Sequence, residues 1–124
     1  MENGEFRVLT REEYEKIPWR SSSKVGELFA PPVDVSSALG TPTIREPSSD
    51  GKTDREWVII DPNGELFRVY AYKATAEYER GLPRPEAFWS IEGGWPLSIG
   101  GNTNPIYVHE WITERILETR DLDA

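Results

Sequence analysis

The sequence predicts an α+β domain: an antiparallel sheet of three to four strands with a central hairpin, packed against a C-terminal helix, plus short N-terminal helices. Three observations carry this. Two β-rich runs flank Asp61-Pro62-Asn63-Gly64 between Arg55 and Lys73. Further strand-like runs follow at residues 88–91 and 96–99. The last stretch carries Val108, Trp111, Ile112 and Ile116 at helical spacing, with Leu117 beside them. At 124 residues the chain fits one domain, 1–124. Residues 1–32 read as an N-terminal helical segment, and 33–124 as hairpin, sheet and C-terminal helix.

The hairpin is the most specified element. Pro62 presets φ in the turn, Asn63 tolerates the bridge or left-handed region, and Gly64 supplies positive φ. A type I turn closed by a glycine bulge sets Asp61 opposite Glu65, and hence Ile59 opposite Phe67 and Trp57 opposite Val69. Side chains alternate across a sheet, so Trp57, Ile59, Phe67, Val69 and Ala71 share one apolar face, the expected core. Val58, Ile60, Leu66, Arg68, Tyr70 and Tyr72 share the other, which is amphipathic and expects partial cover by a loop, a second copy or a ligand.

From the N-terminus, residues 6–9 suit a short strand. Thr10-Arg11-Glu12-Glu13 has the form of a capping box, opening a helix to Ile17 that Pro18 stops. Trp19 is expected against the helix end. Residues 20–32 look irregular, with a helical turn through Val25, Leu28 and Phe29. Asp34 is placed to cap a helix over 35–39 that ends at Gly40. Residues 41–54, rich in Pro, Ser, Asp and Gly, read as a surface loop, and 74–86 as a polar segment leaving the sheet. Asn104 and Pro105 mark the start of the final helix, which is expected on the Trp57 face.

Composition narrows the function classes. There is no cysteine, so disulfides, thiolate catalysis and thiolate-held metals are excluded. His109 is the single histidine and sits beside an apolar helical stripe, where a boundary packing role is expected. No spacing of acids or histidine suggests a metal site, and no cofactor is expected. The net charge of −8 disfavours direct nucleic-acid binding, which runs on phosphate neutralisation by Lys and Arg. Its two readings are solubility and complementarity to a basic partner. No apolar run is long enough to span a bilayer, and Met1-Glu2-Asn3-Gly4-Glu5 does not resemble a signal peptide, so the expected location is cytoplasmic.

Two candidate sites stand out. Arg68, Tyr70 and Tyr72 alternate on one strand and form the expected partner-binding set, since Tyr and Arg dominate contact hot spots. The same face leaves a homodimer open as an arrangement. The alternative is a small-ligand site at Gly100, Gly101 and Asn102 with Trp95, where a glycine pair before a helix start would offer amides to a phosphate or carboxylate. It lacks the Lys-Ser/Thr of a P-loop and the third glycine of a dinucleotide fingerprint.

Gly51-Lys52 before Glu56-Trp57, then Val69-Tyr70-Ala71-Tyr72-Lys73, then Ser98-Ile99-Gly100-Gly101 before a helix, resembles a pattern in small uncharacterised proteins of tailed phages. Leu39-Gly40-Thr41-Pro42 matches its Leu-Gly-x-Pro element. The resemblance spans residues 35–117. It departs where the family has a Trp close before Ile-Gly-Gly: Trp95 is four residues from Ile99, and Trp89-Ser90-Ile91 competes. The resemblance implies an accessory protein that binds, and blocks, a host protein in the host cytoplasm. The leading expectation is thus a non-enzymatic, phage-like accessory binding protein, of which an acidic inhibitor of a host nucleic-acid-handling or defence factor is one form. A nucleotide-like ligand binder is the alternative, and a carboxylate-based enzyme ranks third.

Overall fold

The computed structural model describes residues 5–18 and 22–123. Its elements in order are β1 (Arg7–Val8), α1 (Arg11–Glu15), β2 (Ser23–Ala30), α2 (Pro32–Leu39), β3 (Thr53–Ile60), β4 (Leu66–Tyr72), α3 (Pro85–Phe88), β5 (Trp95–Gly101) and α4 (Ile106–Asp123). The five strands form one sheet in the order β1-β3-β4-β5-β2, with every pairing antiparallel. The fold is α+β, but the sheet has five strands rather than three to four. The expected place of Trp19 lies outside the described residues.

The hairpin register is the one the turn dictates. Trp57 pairs Val69, Val58 pairs Arg68, Ile59 pairs Phe67 and Ile60 pairs Leu66. Gly64 takes φ 86°, and its amide donates to the Asp61 carbonyl at 3.0 Å. Trp57, Ile59 and Val69 are fully buried, with Phe67 and Ala71 beside them. Val108, Ile112 and Ile116 of α4 join this core, as do Val35 and Leu39 of α2. Trp111 is half-buried on Phe6, with ring centroids 5.7 Å apart. Leu117 faces outward, one residue past the stripe.

Three sequence expectations are corrected. Residues 23–30 form a strand at the sheet edge, not an irregular helical turn. Leu28 and Ala30 point inward while Glu27 and Phe29 point out. The register jumps between Lys24 and Gly26, leaving Val25 as a bulged residue. That extra residue shifts the alternation by one, which gives Val25 and Leu28 a helix-like spacing. Residues 1–32 therefore contribute sheet as well as helix.

Residues 88–91 are not a strand. Pro85 opens a single helical turn, in which the Phe88 amide donates to the Arg84 carbonyl and that of Trp89 to Pro85. Phe88 and Trp89 are consecutive and both buried, which a strand's alternation would forbid. Edge-to-face contacts join Trp89 to Trp57 and Phe88 to Trp95, with centroids 5.0 and 5.4 Å apart. Finally, α2 begins three residues early, because Pro32 suits the first helical position. Asp34 thus lies within the first turn, and its carboxylate accepts from Arg120 Nε at 3.0 Å, joining α2 to α4.

Candidate binding face

The core helices lie on the Trp57 side of the sheet, and the opposite face divides into a covered and an open half. The capping box forms as expected: Thr10 Oγ1 accepts from the Glu13 amide and Glu13 reaches back to the Thr10 amide. It opens α1, which Tyr14 ties to the β3–β4 part of this face. There the Arg68 guanidinium donates to the Tyr14 hydroxyl at 2.6 Å, lies 5.3 Å from the Tyr14 ring centroid and pairs with Glu56. Burial works to lower the Arg68 pKa, but the Glu56 charge and Tyr14 hydroxyl outweigh it and hold it above the ordinary value.

Below this network the outer edge of β3 is occupied. The Leu9 amide donates to the Val58 carbonyl at 2.8 Å. The buried Thr43 hydroxyl donates to the Leu9 carbonyl at 2.7 Å and accepts from the Val58 amide at 2.9 Å. Ile44 and Glu56 exchange a pair of backbone bonds next along. The 41–54 loop thus runs along the outer edge of β3, and Val58, which with Ile60 made this face look unfinished in sequence, is fully buried.

The open half runs from β4 through β5 to β2. Register places Tyr70 opposite Ser98, Ser98 opposite Glu27 and Phe29 opposite Pro96, so these share one face with Tyr72. Phe29 is 72% exposed and Tyr72 50%, with Tyr70 half-buried between the strands. Burial first, and then Glu56, raises the Tyr70 pKa above its ordinary value of 10.0. The Phe29 ring lies over Gly94, where a Cβ would overlap it. Lys24 and Glu27 form an ion pair at 2.7 Å on β2.

Of the three residues expected as a contact set, Tyr70 and Tyr72 border the open half, while Arg68 is engaged with Glu56 and Tyr14. The sequence reading missed Phe29 because its strand was read as a helical turn.

The glycine pair expected as a ligand site does not lie in a strand-to-helix loop. Gly100 and Gly101 belong to β5, where Gly100 pairs both Arg68 and Lys24, rather than to a loop before α4. Their missing side chains make room for rings: a Cβ would stand 3.4 Å from Tyr70 Cε1 at Gly100 and 2.9 Å from Phe67 Cδ1 at Gly101. Trp95 points to the core side, against Phe88, and Asn102 is exposed beyond the strand. Asn104 still caps α4, its Oδ1 accepting from the Ile106 amide at 3.0 Å.

On the core side lies a polar feature that sequence reasoning did not find. Thr53 pairs Tyr72 and Glu56 pairs Tyr70, so Asp54 and Arg55 together oppose Ala71 in a β-bulge. Asp54 is buried, accepting from Trp89 Nε1 at 2.8 Å with Arg55 Nε 3.6 Å away. The signal for it was an Asp-Arg pair interrupting the start of an otherwise apolar-inward strand. Among the described residues no group of three His, Asp or Glu side chains is arranged to hold a metal ion, and no helix is long and apolar enough to cross a membrane. Comparison of the chain with protein-family models and with curated protein sequences finds no match in either.

Proposed function

We propose that this chain is a non-enzymatic binding protein of the phage-accessory kind, whose contact surface is the open half of the outer sheet face. One observation carries the reading: Phe29 and Tyr72, large apolar-bodied side chains, stand exposed on the outer face of β2 and β4, where among the described residues the core helices lie on the other side of the sheet. Exposed aromatics grouped on one face mark contact surfaces more often than isolated ones do. The net charge of −8 favours a basic protein partner, such as a host factor that itself handles nucleic acid.

The test is capture of partners from a bacterial lysate with the full chain and with the double variant Phe29→Ala, Tyr72→Ala. A basic protein held by the native chain and lost with the variant, at unchanged melting temperature, supports the reading. Equal capture by both chains overturns the assignment of this face. Association that does not slow between low and physiological salt removes the role of acidity, since charges are screened over about 8 Å at 0.15 M.

A further inference from the structure

The segment joining β1 to α1 and the residues after α2 face each other across a cleft of about 630 Å³, within the range of small-molecule sites. Its floor is apolar. Leu9 and Leu39 are buried there, and Val8 and Pro42 are half-buried. Its rim runs against the charge of the chain, with Arg11 and Arg45 beside one carboxylate, Glu46. Arg11 Nη1 donates to both Glu46 oxygens, at 2.5 and 2.6 Å. Among the described residues no carboxylate lies within ion-pair distance of Arg45.

We propose that this cleft binds a small organic anion, its carboxylate or phosphate head on Arg45 and its apolar body against Leu9, Leu39 and Pro42. An unpaired guanidinium beside an apolar floor suits such a molecule, because the fork of donors matches two anion oxygens. The Arg11–Glu46 pair is solvent-exposed on both sides, so it contributes little and exchanges partners readily. Arg11 can therefore turn from Glu46 to the bound head and add a second cation. This site is separate from the glycine pair of β5 and from the aromatic sheet face.

The experiment is an amide NMR titration of the full chain with hexanoate, hexyl phosphate and hexanol in parallel. The expected result is saturable shifts at Leu9, Leu39 and Arg45 with one or both anions, the tighter of the two identifying the head group. Hexanol should bind at least about tenfold more weakly, as should hexanoate to an Arg45→Gln variant, the effect of losing a charge-assisted contact. A Glu46→Gln variant, which releases Arg11, should bind the anion more tightly than the native chain. No saturable shift up to about 10 mM, a range that covers millimolar affinity, overturns the proposal. So does hexanol binding as well as hexanoate, or unchanged affinity in both variants.

Discussion

The indole Nε1–H of Trp89 donates to Oδ2 of Asp54 at 2.8 Å, and each of these side chains is only 4% exposed. Burial raises the Asp54 pKa above its ordinary 3.8, and the charges of Glu77 and Glu86 add to it, while Trp89 and Arg55 oppose it. The folded chain therefore holds this proton at pH values where the unfolded chain has released it. Its contribution to stability grows as pH falls through the raised pKa and is complete below 3.8. At neutral pH the charge is a cost. The Asp54→Asn variant should gain on the native chain as pH rises from about 4 to 7, by about 1.4 kcal/mol per unit of elevation. Urea midpoints at a series of pH values measure this, and a pH-independent difference would refute the elevation.

Trp57→Ala should destabilise the fold by about 3–5 kcal/mol. The side chain is fully buried, packs on Trp89 and donates its Nε1–H to the Gly40 carbonyl at 3.0 Å. Denaturant unfolding reads this directly. A loss below about 1 kcal/mol would be incompatible with a central place in the core.

Arg68→Ala should cost about 2–3 kcal/mol, because it leaves Glu56 largely buried without its cation. Tyr14→Phe keeps the ring and removes one hydrogen bond to the guanidinium, so about 1 kcal/mol is expected. If Arg68→Ala proves as mild as an ordinary surface change, the network is not what holds α1 on the sheet.

Gly51 and Gly64 both have positive φ, at 72° and 86°, but different surroundings. A Cβ at Gly64 meets nothing within 4 Å, so Gly64→Ala should cost about 1–2 kcal/mol for the backbone conformation alone. A Cβ at Gly51 would overlap the Glu77 carbonyl, backbone that cannot swing aside. Gly51→Ala should therefore cost clearly more, and comparable melting temperatures for the two variants would contradict this packing of the turn in which the Gly51 amide donates to the Ser48 carbonyl.

What could be read from the sequence follows the range of the interactions. The Asp61–Gly64 turn specifies the hairpin register locally, so the pairs from Trp57–Val69 to Ile60–Leu66 were legible. The stripe of Val108, Ile112 and Ile116 was legible for the same reason, since one helical period displays it. β2 was not, because the bulge at Val25 breaks the alternation that identifies a strand. Phe88 and Trp89 failed differently: aromatic residues favour strands on propensity, and Pro85 with tertiary burial overrode it. The cover on Arg68 comes from Tyr14, 54 residues earlier, and no local pattern announces such a contact. The anion cleft joins β1–α1 to the residues after α2 and is likewise a product of the fold alone.

The hydroxyl of Thr43, wedged between Leu9 and Val58, gives the sheet a polarity of growth. At the β1 end the terminal strand is two residues long, and the uncovered length of β3 is already bonded to Ile44. At the β2 end, among the described residues, an eight-residue strand has a neighbour on one side only. A template with one usable side cannot propagate a ribbon. Antiparallel joining of two copies through β2 would consume both free edges at once and stop there, a closed pair related by a two-fold axis rather than the start of a fibre.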